Sequence, residues 1–179
     1  MKFNKLLLPV VTLLGAAAIL FGASAMLEGT AKANRESDRQ YVMEHLLPGC
    51  TEFTEEAYSG EDANIRSVHK AENGYVIETA VQGYAGEITM LIGVSNDGKV
   101  KGLVVRDLHE TRGLGNKALT DWVYLSQYLN TQGDAQVGEN VDAITGATVT
   151  SKAITRCINS AVGFVTGADT NSGATSWGG

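Results

Sequence analysis

Cysteine is scarce in this 179-residue chain, and the two present, Cys50 and Cys157, do not form a CxxC pair. That excludes a thiolate cage for zinc or an iron–sulfur cluster. Whether the two pair with each other outside the cytoplasm or stay as free thiols is open at this level. Positive charge is also short: 14 Lys and Arg face 20 Asp and Glu, for a net charge of −6. No basic stripe exists on which a nucleic acid could dock, so no nucleic-acid partner is expected. Proline occurs only as Pro9 and Pro48. No metal-ligand cluster and no catalytic acid–base constellation can be read from the chain.

The acidic residues are absent from one region altogether, since all 20 lie after Leu27. Residues 6–27 read LLLPVVTLLGAAAILFGASAML, 22 residues without a charge. As a helix at about 1.5 Å per residue they span about 33 Å, which matches a bilayer core of about 30 Å. Pro9 falls in the first turn, where a missing N–H matters little. Lys2 and Lys5 precede the run and Glu28 follows it. The positive-inside rule then keeps the N-terminus in the cytoplasm and exports the rest, giving a single-pass protein of the cell membrane. Ala23-Ser24-Ala25 offers the rival reading of a cleaved signal peptide, but the apolar run is longer than a usual h-region. In either reading the remainder is exported.

Beyond the anchor the patterning predicts an α+β fold: a mainly antiparallel sheet with flanking helices, after an N-terminal transmembrane helix. Residues 31–47, with Tyr41, Val42, Leu46 and Leu47 at spaced positions, predict a helix ended by Pro48-Gly49. Residues 51–65 are acidic and read as a loop. Ser67 to Ala71 and Gly74 to Gln82 predict a hairpin turning at Glu72-Asn73-Gly74. Glu87 to Val94 is nearly all apolar, as in a strand buried on both faces. Asn96-Asp97-Gly98 is a turn, and Lys99 to Leu108 is a further strand, so the strands form a meander. A Gly-rich loop follows at 110–115. Next come a helix over 116–129 with Leu119, Trp122, Val123 and Leu129 at helical spacing, a polar loop over 130–140, and a last helix from about Val149 to Val165. That helix carries an apolar stripe of Ile154, Cys157, Ile158, Ala161, Val162 and Val165. The expected organisation is 1–27 cytoplasmic start and anchor, 28–49 helical connector, 50–166 functional domain, and 167–179 a Gly/Ser-rich flexible tail.

The chemistry concentrates before the last helix. Thr145-Gly146-Ala147-Thr148 stands where free N–H groups and the positive end of the helix dipole favour a phosphate. Gly146 permits a turn or a close ligand approach, and Thr148, Thr150 and Ser151 add hydroxyls. The plainer reading is a hydroxyl-rich helix start that caps itself.

Asp142-Ala143-Ile144-Thr145-Gly146-Ala147-Thr148 resembles the flavinylation motif Asp-x-x-(Ser/Thr)-Gly-Ala-Thr of the FMN-binding domain family. Gly83-Tyr84-Ala85-Gly86-Glu87-Ile88 is similar to that family's Gly-Tyr-Gly-Gly-x-Ile segment. His109-Glu110-Thr111-Arg112-Gly113-Leu114-Gly115 is similar to its His-x-Glu-Thr-Pro-Gly-Leu-Gly loop, with Arg112 where the family usually has proline. Arg112 is either a solvated side chain or a cation that steadies the flavin. The family includes the G subunit of the Rnf electron-transport complex and the C subunit of the sodium-pumping NADH:quinone reductase.

The resemblance implies FMN joined covalently to Thr148 through a phosphoester, made by a separate flavin transferase from FAD with Mg²⁺. Asp142, Thr145, Gly146 and Ala147 would be recognised or would orient the site. Glu110, Thr111, Gly113, Leu114 and Gly115 would face the cofactor. Thr148 is then an attachment point and not a catalytic nucleophile of this chain. The implied partners are the other subunits of an Rnf-type membrane complex. The alternatives are the quinone-reductase subunit, a stand-alone exported flavoprotein reductase, and a non-redox phosphate-binding module. Asp169-Thr170-Asn171-Ser172-Gly173-Ala174-Thr175 fits the same motif again, which raises Thr175 as a second attachment point or as a chance match in a biased tail.

Overall fold

The computed structural model describes residues 36–108 and 120–168. The chain divides into two compact units, 1–41 and 42–179. Of the first, only residues 36–41 are described, and they are helical, the start of a helix over 36–46 (α1). Among the described residues no helix is long and apolar enough to cross a membrane. The expected anchor at 6–27 lies outside them.

The second unit is built on five antiparallel strands in sequence order: β1 Thr54–Glu56, β2 Ile65–Ala71, β3 Gly74–Gln82, β4 Glu87–Ser95 and β5 Val100–Leu108. Tight turns join β2 to β3 and β4 to β5. In the second, Gly98 takes φ +79°, and its N–H donates to the Ser95 carbonyl at 2.8 Å. This is a left-handed position that glycine fills without strain. Two helices follow, α2 Trp122–Ser126 and α3 Thr148–Thr166.

Alternation along the strands sends side chains to two cores. On one face Ile77, Val81, Ile88, Met90, Ile92 and Val94 share a core with Tyr124 and Leu125 of α2, Tyr128 just after it, and Ile154, Cys157, Ile158 and Ala161 of α3. On the other face Val76 and Leu91 pack with Met43, Leu46, Leu47 and Cys50. The β4 strand is therefore covered on both sides, as its continuous apolar run predicts. Gly93 and Gly102 pair across β4 and β5 directly beneath Leu46. A Cβ on Gly93 would stand 2.1 Å from the Leu46 carbonyl oxygen. Only glycine lets the chain end of α1 lie this close to the sheet. Cys50 and Cys157 are both buried and free, and they belong to the two separate cores.

The structure corrects the sequence reading at two points. Residues 54–56 are not loop. They form the edge strand β1, held by pairing with Val68, His69 and Lys70 and by a Lys70–Glu56 ion pair at 3.5 Å. Its three side chains are exposed, so no alternation marks it. The helix expected over 116–129 is described only from residue 120, and its regular part is five residues long. Its inward face carries Tyr124, Leu125 and Tyr128, whereas Trp122 and Val123 are 61% and 81% exposed. The tyrosines win the interior because their hydroxyls find buried partners there.

Candidate functional site

Helix α3 forms because Ala, Ile, Cys and Val at helical spacing bury one broad face. It ends at Gly167, in the left-handed conformation at φ +70°. Phe164 packs edge-on against Tyr75 at the start of β3, and Gly98 lies against Thr166, so this end of α3 stands at the β4–β5 turn. Nearer the other end, the Cys157 thiol faces the Ile88 carbonyl early in β4. Thr148 lies nine residues further on, about 13 Å at helical rise. The start of α3 therefore projects past the end of the sheet where turn 83–86 joins β3 to β4. At this same end β5 finishes, with Leu108 opposite Ile88. Turn 83–86 is closed by Gly83 N–H donating to the Gly86 carbonyl at 2.7 Å. Residues 109–115, including Glu110, Thr111, Gly113, Leu114 and Gly115, lie outside the described residues, as does Thr175.

The segment before α3 is a built turn. Ala147 N–H donates to the Ile144 carbonyl at 2.8 Å, and Gly146 takes φ +81°. That is the third position of a turn in which only glycine sits without strain. Ala147 is buried, while Asp142, Thr145, Gly146 and Thr148 are exposed. The self-capping reading does not hold. The N-cap residue is Ala147, and no side chain bonds the first turn from it. The leading N–H groups and the helix dipole are left directed at whatever occupies the space before Thr148.

Two contacts fix this turn, and neither was read from the sequence. The side-chain amide of Gln127 accepts from Asp142 N–H at 2.8 Å and donates to the Asp142 carbonyl at 3.3 Å. It grips the backbone as a neighbouring strand would. From inside, the buried Ser151 Oγ accepts from Ile144 N–H at 3.2 Å. Beneath them runs a buried hydroxyl chain. The Tyr124 and Tyr128 hydroxyls lie 2.9 Å apart, Tyr128 meets Thr155 Oγ1 at 2.8 Å, and Thr155 donates to the Ser151 carbonyl at 3.0 Å. Burial pushes both tyrosines above their ordinary range and the Cys157 thiol up to about 12. All three are therefore neutral structural groups. The i, i+4 pair Tyr124–Tyr128 was the available signal for the packed face of α2.

The site end also carries unusual exposed apolar surface. Tyr84 in turn 83–86 is 71% exposed and Val149, beside Thr148, is 40% exposed. Trp122 and Val123 open the helix whose Gln127 grips Asp142. A cavity of about 400 Å³ lined by Cys50, Glu52, Thr54, Lys70 and Glu72 lies by the β2–β3 turn, at the opposite end of the sheet, and takes no part. No group of His, Cys, Asp or Glu among the described residues could hold a metal ion.

Residues 83–163 match the profile of the FMN-binding domain family. The match opens on turn 83–86, contains Asp142 to Thr148, and closes within α3. The chain is 37% identical over 98 residues to the G subunit of the Na(+)-translocating ferredoxin:NAD(+) oxidoreductase complex of Acetobacterium woodii, covering 50% of this chain and 47% of that protein. It is 37% identical over 99 residues to the G subunit of the proton-translocating ferredoxin:NAD(+) oxidoreductase complex of Clostridium ljungdahlii, covering 51% and 53%. It is 35% identical over 133 residues to the G subunit of the ion-translocating oxidoreductase complex of Pseudoalteromonas atlantica, covering 65% and 60%. The chain spans about half the length of the first of these relatives.

Proposed function

We propose, for a chain that carries an FMN-binding domain over residues 83–163, that Thr148 holds FMN through a phosphoester bond. In this reading the protein is the membrane-anchored electron-transfer subunit of an Rnf-type ferredoxin:NAD oxidoreductase complex that couples electron flow to ion transport. The carrying observation is the exposed Thr148 at the uncapped start of a 19-residue helix, behind a turn that needs Gly146. Those features fit a phosphodiester linking threonine to FMN: N–H groups and a helix dipole before it, an accessible hydroxyl to bear it, and apolar surface nearby for a ring system. The names of the similar proteins support the Rnf-type G subunit over the quinone-reductase subunit.

Bound flavin supplies one- and two-electron chemistry that no side chain offers. The chain's own part is placement. Gln127 and Ser151 hold the turn, Ala147 seats it on the core, and the first turn of α3 offers N–H groups to the phosphate. Asp142 and Thr145, both exposed, serve recognition by the flavin transferase. The loop of Glu110, Thr111, Gly113, Leu114 and Gly115 is assigned to the ring, and Tyr84, Trp122 and Val149 to the ring or to a neighbouring subunit. In the attachment step the Thr148 hydroxyl oxygen bonds to the FMN phosphorus of FAD. The pyrophosphate bond breaks, AMP leaves, and the hydroxyl proton passes to a base of the transferase. No catalytic residue is assigned to this chain in turnover. Residues 6–27 anchor it with the N-terminus cytoplasmic and the flavin domain outside.

The test is the full chain co-expressed with a flavin transferase, fractionated, denatured and run on a gel. A fluorescent band is expected in the membrane fraction, clearly weaker in Thr148→Val. Equal fluorescence in the variant would overturn the assignment.

A further inference from the structure

We propose that Arg156 binds the flavin ring and holds the negative charge that the ring gains on reduction. The inference rests on the reading that FMN is attached to Thr148. Between Thr148 and Gly163 the only positions of α3 that are not buried are Thr148, Val149, Lys152 and Arg156. Spaced at i, i+1, i+4 and i+8, they form one stripe on the side of the helix away from the sheet. The stripe starts at the attachment point and ends at Arg156. Beyond it the helix is closed in from two directions. Asn64 Nδ2 donates to Ser160 Oγ at 3.1 Å, and Asn159 Nδ2 donates to the Ala135 carbonyl at 2.9 Å. The first two turns of α3 are thus an open track, with Thr148 at one end and Arg156 at the other.

Arg156 lacks a partner of its own. Its Nε is buried and has no hydrogen-bond partner. Its guanidinium takes part in none of the ion pairs among the described residues. Buried donors are nearly always bonded, charged ones above all. The helix offers no counter-charge, because α3 holds two cations and no acid. Nor does the dipole help, since Arg156 stands in mid-helix and not in the last turn. Long side chains on a helix lean toward its N-terminus, which here is toward Thr148. The two residues lie about 12 Å apart along the axis. FMN bound at Thr148 has its phosphate there, and its five-carbon ribityl chain sets the ring one to two helical turns away, about 5–11 Å. Laid along the stripe, the ring brings an edge to the guanidinium. Two electrons and one proton reduce the ring and leave one negative charge shared between N1 and the C2 oxygen. A planar guanidinium can donate two parallel N–H bonds to such a pair of acceptors. The phosphate keeps the same charge in both states and is met by the N–H groups opening α3. Arg156 therefore favours reduced over oxidised flavin and raises its potential.

Midpoint potentials test this on the flavin-loaded full chain in detergent, reduced stepwise with dithionite and followed by the absorbance of the bound flavin between pH 6 and 9. Arg156→Gln should weaken the preference for reduced flavin at least tenfold, a fall of about 30 mV for a two-electron couple. Without the cation the reduced ring should also take up its second proton at higher pH, so the break in the plot of potential against pH moves upward. Arg156→Lys should keep most of the wild-type potential. Arg156→Met retains the stem of the side chain and repeats the measurement where Arg156→Gln does not fold. Lys99→Gln removes a cation at the β4–β5 turn, beyond the far end of α3, and should leave the potential unmoved. An unmoved potential and break in Arg156→Gln and Arg156→Met, or an equal fall in Lys99→Gln, would overturn the role of Arg156 and leave the Thr148 reading intact. Flavin absent from tryptic peptide 118–152 of the wild type would overturn both.

Discussion

Ser151→Ala tests whether the turn before α3 is held in place from inside. Ser151 is fully buried, and its hydroxyl accepts the Ile144 N–H at 3.2 Å, seven residues back along the chain. Alanine leaves that half-buried amide without its partner, a loss of about 1–3 kcal/mol. Alanine's better helix propensity returns about 0.5 kcal/mol, so a net destabilisation of about 1.5 kcal/mol is expected. With a urea slope of about 2 kcal/mol/M, the midpoint falls by about 0.7 M. The second consequence is local. Freed from Ser151, the turn holds Gly146 and Thr148 less firmly, and flavin loading by the transferase should slow several-fold at a temperature where the variant is folded. Ser160→Ala is the control. Ser160 is also buried in α3, where its hydroxyl accepts from Asn64 Nδ2 at 3.1 Å, but it lies in the half of the helix away from Thr148. It should lower stability without slowing loading. Wild-type loading in Ser151→Ala, or equal slowing in Ser160→Ala, would show that Ser151 does not hold the turn.

Other outcomes follow from the same contacts. Gln127→Ala removes both bonds to the Asp142 backbone; it should cost about 1 kcal/mol in urea unfolding and slow flavin loading, and a variant that loads normally would show that the grip is incidental. Gly93→Ala drives a Cβ to 2.1 Å from the Leu46 carbonyl oxygen and 2.7 Å from its carbon; it should lose about 1–3 kcal/mol or more, and a urea midpoint equal to wild type would contradict the close packing of Leu46. Burial raises the Cys157 thiol from 9.0 to about 12, so the native state favours its protonated form. That stabilisation is complete below pH 9 and is lost as pH rises toward 12, on the order of 4 kcal/mol in all. Tyr124 and Tyr128, raised by burial, add a loss in the same direction above pH 10. Urea unfolding between pH 7 and 11 should show stability falling at the alkaline end, more gently in Cys157→Ala, and a flat profile would contradict the burial of all three groups.

The sheet was legible because its signals are local. Asn96-Asp97-Gly98 marked a turn that Gly98 makes at φ +79°, and the unbroken apolar run of β4 announced a strand covered on both faces. The edge strand β1 was not legible, since Thr54, Glu55 and Glu56 are all exposed and pairing with β2 alone makes them a strand. In α2 hydrophobicity misled. Trp122 and Val123 face outward, while Tyr124 and Tyr128 enter the core, where their hydroxyls bond each other and Thr155. At the candidate site the motif residues could be named from sequence, and the local need for Gly146 could be reasoned. Gln127 and Ser151 could not, because one reaches Asp142 from 15 residues away and the other lies on the helix behind the turn. The glycine pair Gly93–Gly102 was a signal left unread: two glycines inside strands mark a close approach, here of Leu46.

The proposed flavin bond is to one atom, the hydroxyl oxygen of Thr148. Lys117 and Lys152 enclose that residue with no Lys or Arg between them. Fragmentation of tryptic peptide 118–152 from the flavin-loaded full chain locates the adduct directly. An FMN phosphoester on Thr148 is expected in the wild type, with an unmodified 118–152 in Thr148→Val. A flavin-bearing chain whose 118–152 is unmodified, or is modified at Thr145 or Thr150 instead, would contradict it.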